Sequence, residues 1–202
     1  MARYGAKYIR WAPFATETPE PEGALPKYGA VLALSELQKI SDNPTYAEGK
    51  QHGDDGLAEL VREFTEADVD VEITDLPVEH EQAILGAREK ADGTHKVTCF
   101  GTSDVAPYGG LGAVSCIQRN NVKKYQAIVY PKVKAAMQGE EYTTKGDSIT
   151  LTGGKLKFKA MACASSDWKL KSPYLATEAD AKAFIDAIFK GEISLAEAAA
   201  AE

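Results

Sequence analysis

Ala67-Asp68-Val69-Asp70-Val71-Glu72-Ile73-Thr74 alternates strictly, with Val69, Val71 and Ile73 on one face of an extended chain and Asp68, Asp70 and Glu72 on the other. Successive side chains of a strand point to opposite faces, so the stretch predicts a half-buried strand with an aliphatic core face and an acidic outer face.

The same period recurs along the chain. In Asp147 to Ala162, Ile149 and Leu151 alternate with Ser148, Thr150 and Thr152. Gly153-Gly154 offers a two-residue turn, and Leu156, Phe158 and Ala160 then alternate with Lys155, Lys157 and Lys159. Tyr125, Ala127 and Val129 alternate with Lys124, Gln126 and Ile128, and Arg119-Asn120-Asn121 before them supplies residues that tolerate a hairpin turn. Tyr28 to Leu34 is a further apolar run of strand length.

Two helices interrupt the strands. Asp75 to Gly86 has Pro77 in its first turn, acids after it and Gly86 at its end. The second starts at Thr177, which can cap with Asp180 three residues on, presents Ala181, Phe184, Ile185, Ile188 and Phe189 on one face, and closes at Gly191. The pattern predicts an α+β, mainly β domain: a β-sandwich or barrel with a short central helix and a C-terminal helix.

The chain divides into residues 1–15, an N-terminal arm; 16–27, an exposed loop rich in Pro and Glu; 28–190, the β domain; and 191–202, an alanine-rich extension with little to bury. The arm carries Tyr4, Tyr8, Ile9, Trp11 and Phe14. So large an apolar load docks on its own domain or on a neighbouring subunit.

With 202 residues, 44% of them hydrophobic, the chain can bury one substantial core. Lys and Arg number 23 against 30 Asp and Glu, a formal charge of −7, and the pI is near 5.1. Such a surface repels nucleic acid and anionic membrane at long range, which disfavours DNA gripping but not a surface that DNA slides past. No run of 18 apolar residues exists, and the N-terminus lacks the apolar core of a secretory signal, so assembly in a cytoplasm is expected. Cys99, Cys116 and Cys163 are odd in number and form no CxxC, and are read as buried free thiols.

No stretch carries a reaction. His52, Asp54 and Asp55, with Glu48 nearby, form the most ligand-like group, but Glu48-Gly49-Lys50-Gln51-His52-Gly53-Asp54-Asp55-Gly56 is punctuated by glycine and reads as a solvated loop. A Cys–His pair drawn from Cys99 or Cys116 with His80 or His95 has no local signature. Gly109-Gly110-Leu111-Gly112 lacks a Gly-Lys-Ser/Thr ending and reads as tight turns or close backbone packing. Lys155, Lys157 and Lys159 read as a solvated strand face, and Trp11 and Trp168 as core or interface anchors. Catalytic residues, metal and cofactor are all expected to be absent.

Several stretches resemble, in order, the major tail proteins of long, flexible-tailed bacteriophages (siphophages). Gly5-Ala6-Lys7-Tyr8 with Trp11-Ala12-Pro13 is similar to the family's N-terminal arm, and Gly53-Asp54-Asp55-Gly56-Leu57-Ala58-Glu59 to its acidic loop. Val69-Asp70-Val71 through Asp75-Leu76-Pro77 and Gln82-Ala83-Ile84-Leu85-Gly86 resemble the strand and short helix. Asp104-Val105-Ala106-Pro107-Tyr108-Gly109-Gly110-Leu111-Gly112, Tyr125-Gln126-Ala127-Ile128, Thr144-Lys145-Gly146-Asp147-Ser148-Ile149, Asp167-Trp168-Lys169 and the helix from Thr177 continue the series, which spans Tyr4 to Phe189. The chain departs from the family in a longer Pro/Glu insert after Phe14, in Pro131 inside an expected continuous strand, and in the tail after Gly191.

The resemblance implies a virion protein: a tail-tube subunit forming hexameric rings that stack around a channel for the genome. Its partners would be other copies of itself, a tape measure protein, a tail terminator and distal tail or baseplate proteins, with DNA passing through without specific binding and no membrane involved. A ring needs a heterologous contact that closes by rotation, which paired sheet edges can make. Stacking needs segments that reach axially, for which the arm Arg3 to Phe14 and the loop Asn43 to Gly56 are the candidates, with Tyr4, Tyr8, Trp11, Phe14, Tyr46, His52, Asp54 and Asp55 as contact residues. Asp68, Asp70 and Glu72 are the candidate channel-facing acids. The alternatives are the inner tube of a contractile tail, secretion system or gene-transfer particle, a monomeric β-sandwich binding carbohydrate or protein, and an enzyme built on His52 or a Cys–His pair.

Overall fold

The structure, a computed structural model, describes residues 2–15, 24–53, 56–137, 139 and 153–193. Its elements run β1 (Ala2–Pro13), β2 (Leu32–Ala33), β3 (Leu37–Gly53), β4 (Gly56–Ile73), α1 (Val78–Leu85), β5 (Arg88–Asp92), β6 (His95–Cys99), β7 (Tyr108–Arg119), β8 (Val122–Ala136), β9 (Gly154–Met161), β10 (Leu170–Lys171) and α2 (Glu178–Phe189). The domain is α+β and mainly β. One antiparallel sheet has the order β2-β1-β7-β8-β9-β4-β3, with β10 also pairing β8, and β5-β6 form a separate hairpin.

The long sheet curls. β1 and β3, near opposite ends of its order, approach within 8 Å at Cα. Ile9 and Trp11 of β1, Val69, Val71 and Ile73 of β4, Leu111, Tyr130 and Val133 of β7 and β8, and Leu156 and Phe158 of β9 all join one buried cluster. The result is an open barrel whose lining is the aliphatic face read from the Ala67–Thr74 alternation.

A second cluster lies outside the barrel, where α2 covers Val114, Ala127 and Val129 with Ala181, Ile185, Ile188 and Phe189. Burying each of the larger side chains contributes about 1.5–3 kcal/mol. Gly110 and Gly112 make this approach possible. A Cβ on Gly110 would stand 2.5 Å from the Tyr28 ring and 2.8 Å from that of Phe189, and one on Gly112 would stand 2.6 Å from Ile185 Cγ2. The glycine run is thus close packing inside β7 and not a set of turns.

The helix ends match the expected signals except at the start of α1, where Pro77 is the residue before the helix and not in its first turn. Gly86 closes α1 at φ 71, and the Thr177 side chain accepts from Asp180 N at the start of α2. The turn between β7 and β8 is Asn120-Asn121, at φ 50 and 60, the paired left-handed conformation of a tight hairpin. Pro131 does not interrupt β8. Leu111 pairs with Tyr130 but Gly109 with Val133, so β8 carries one extra residue there, a bulge that absorbs a residue without an N–H.

Other expectations change. The run Tyr28 to Leu34 yields only the two-residue β2 and a bridge from Tyr28 to Phe14. Asn43 to Gly53 is not a loop but the distal half of β3, in a hairpin with β4. Of the hairpin expected over Asp147 to Ala162, residues 153–162 lie within the described residues, and Gly154, expected in the turn, is instead the first residue of β9, paired with Ile73; of the Pro/Glu-rich loop only residues 24–27 are described, and of the extension only 191–193.

Candidate functional site

The acids of β4 do face outward, but they are not alone. On the same face β9 sets Lys159 opposite Asp68, Lys157 opposite Asp70 and Lys155 opposite Glu72. Lys159 reaches both Glu66, at 2.5 Å, and Asp68, at 2.9 Å. Lys157 stands 3.5 Å from Asp68, and Lys39 of β3 holds Glu72 at 3.2 Å. The bond from Lys159, reinforced by Lys157, holds the Asp68 carboxyl below its usual range. The bonds to Glu66 and then Asp68 raise the Lys159 ammonium above its own. At the end of β8, Lys132 and Lys134 lie over the Tyr108 ring, 5.3 and 5.1 Å from its centroid. The acidic outer face expected from β4 alone is therefore one half of a charge-matched sheet face.

The expected arm is a strand of the barrel. Trp11 is 1% exposed in the core, which removes it from any contact with a neighbour. Phe14 N donates to Tyr108 O, and the Phe14 ring packs against Tyr28 and Tyr108. Tyr8 turns toward α2: its hydroxyl donates to the Asp186 carboxylate at 2.9 Å, with the Arg10 guanidinium 3.8 Å from its ring centroid. Of the arm's four candidate contact residues, Tyr4 is exposed. It lies on the stretch of β1, Ala2 to Lys7, whose outer edge has no strand partner among the described residues.

The β3–β4 hairpin continues beyond the stretch of β4 that pairs with β9. Among the described residues β9 pairs with β4 only from Ala67 to Ile73, and from Thr45 opposite Glu66 to Gly53 opposite Gly56 the two strands pair with each other and with no further strand. At about 3.3 Å per residue this ribbon reaches roughly 30 Å. Tyr46, Leu60 and Val61 on it are 46%, 43% and 50% exposed. The backbone of His52 pairs with Leu57, while Asp54 and Asp55 fall outside the described residues.

The ribbon's root is anchored by residues that periodicity did not single out together. Phe64 stacks on Trp168 at 4.8 Å and 14°, and Tyr46 packs edge-on to Phe64. Beside them Lys169 pairs with Asp42 of β3 at 2.6 Å, its side chain only 12% exposed and set over the rings of Trp168 and Tyr130. Desolvation lowers the Lys169 pKa against the opposing pull of Asp42. Lys169 lies 127 residues from Asp42, so no local pattern could have joined them.

Among the described residues no group of three or more His, Cys, Asp or Glu side chains could hold a metal, and no helix is long and apolar enough to cross a membrane. Cys116 and Cys163 are buried thiols and Cys99 is partly exposed. No protein-family model matches the chain, and no curated protein matches it.

Proposed function

We propose that this chain is a structural subunit that polymerises into a tube, the major tail tube protein of a long, flexible-tailed bacteriophage, with stacked hexameric rings around a channel for DNA. The ring number, the virion location and the partners, from tape measure protein to baseplate, come from the family resemblance. The observation that carries the reading is the β3–β4 ribbon. A two-stranded hairpin is marginal in water, and this one continues past the β4–β9 pairing of the described residues while exposing Tyr46, Leu60 and Val61. Docking on an adjacent ring would cover those side chains. The outer edges of β3 and of the first half of β1, which lack strand partners among the described residues, are the edges available for lateral pairing.

Negative-stain microscopy of the purified protein should show tubes with a regular axial repeat. Replacing Ala47 to Glu63 by a two-residue Asn-Gly turn should leave subunits that still unfold cooperatively on heating but form no tubes. Tubes of normal length from that variant would place the axial contact elsewhere.

A further inference from the structure

Two rows of opposite charge share the outer face of the sheet, Glu66, Asp68, Asp70 and Glu72 on β4 and Lys155, Lys157 and Lys159 on β9, with Lys132 and Lys134 continuing the basic side onto β8. Strands lie about 4.8 Å apart and alternate residues on one face about 6.8 Å apart, so the five lysines fall within one compact patch. A patch of that kind on a rigid sheet, bordered by the Tyr108 ring, is suited to bind polyphosphate. What opposes such binding is the neighbouring strand: Lys159 is held by Glu66 and Asp68, and Lys157 lies next to Asp68.

We propose that the β4 acids are a mask over a latent lysine platform for duplex DNA, and that their function is to keep this face from gripping a polyanion that moves along it. The inference rests on the tube reading for the identity of the polyanion, and it changes the physics of that surface. A purely acidic wall would keep DNA off by long-range repulsion. A matched wall does so by holding Lys157 and Lys159 against carboxylates and setting Lys155 opposite Glu72, so its non-adhesion depends on the pairing of β4 with β9.

The test uses full-length protein and a 30-base-pair duplex followed by fluorescence anisotropy. The wild type should show no saturable binding at 50 mM NaCl. The variant Glu66→Gln/Asp68→Asn/Asp70→Asn/Glu72→Gln should bind, with log K falling against log salt at a slope of about −4 to −5, or roughly a 500-fold loss between 50 and 200 mM. Adding Lys155→Gln/Lys157→Gln/Lys159→Gln should abolish that binding. If that acid variant does not fold, Asp68→Asn alone, which removes the carboxylate that both Lys157 and Lys159 approach, should bind with a shallower slope. Binding no stronger than wild type in whichever acid variant folds, or binding that survives loss of the lysines, overturns the mask. Tube formation, scored separately by microscopy, tests the function itself: tubes without unmasked binding sink the mask alone, and unmasked binding without tubes sinks the tube reading alone.

Discussion

Tyr8 holds a left-handed backbone conformation, φ 58, in the middle of β1, beside the register shift between Lys7 and Arg10. A non-glycine residue there is strained and persists only when its surroundings fix it. The surroundings are visible: Asp186 accepts its hydroxyl, while Arg10 and Lys182 lie against its ring. Tyr8→Phe should therefore cost about 1–2 kcal/mol, read as a lower urea midpoint with an unchanged slope. Burial, and then the bond to Asp186, raises the phenol's pKa. The folded state thus binds this proton more tightly than the unfolded chain does. The contribution is complete below a pH of about 10 and is lost as pH rises through the folded value, so the wild-type advantage over Tyr8→Phe should shrink in alkali. A mutant gap that stays constant from pH 8 to pH 11 would contradict this role.

Among the elements, the β3–β4 hairpin gains its orientation at its root. Asp42 sits in β3 just before the ribbon leaves the sheet, and its partner Lys169 belongs to the segment leading into β10. Removing one member of a largely buried pair leaves the other charge uncompensated, so Asp42→Asn and Lys169→Met should each destabilise by about 2–4 kcal/mol. The double variant should cost clearly less than their sum, as a double-mutant cycle by thermal unfolding would register. Additive losses would mean that the two side chains act independently. The hairpin also marks a limit of periodicity. Glycine-punctuated, polar Glu48 to Gln51 reads as part of a loop because a strand stretch exposed at every one of these residues has no buried side to impose alternation. Pro131 misleads in the opposite direction, since a proline that ends a regular strand is tolerated at a bulge.

For the whole molecule, curling of the sheet decides what the N-terminus is. Ile9, Trp11 and Ala12 bury in two clusters on opposite sides of β1, which makes residues 2–14 part of the domain and not a detachable arm. Deleting them should give a chain without cooperative thermal unfolding. A truncated protein that folds yet forms no tubes would restore the arm as an axial connector. The same architecture governs charge reversal at Asp68, Asp70 and Glu72. Three lysines there would stand against Lys155, Lys157 and Lys159, so repulsion across β4 and β9 would accompany any effect on a channel, and neutral substitutions separate the two.

By itself the sequence determined the elements whose periodicity answers to a buried face: the β4 alternation, β9, the Asn120-Asn121 turn, and both helices with the Gly86 and Thr177 caps. Those signals are local, set by side-chain direction and backbone preference within a few residues. Only the tertiary structure decided which strand lies beside which. The acids of β4 meet the lysines of β9, Lys169 meets Asp42, and an aromatic terminal segment becomes a barrel strand. Electrostatic matching and burial are relations between segments distant along the chain, and no spacing within either segment encodes them.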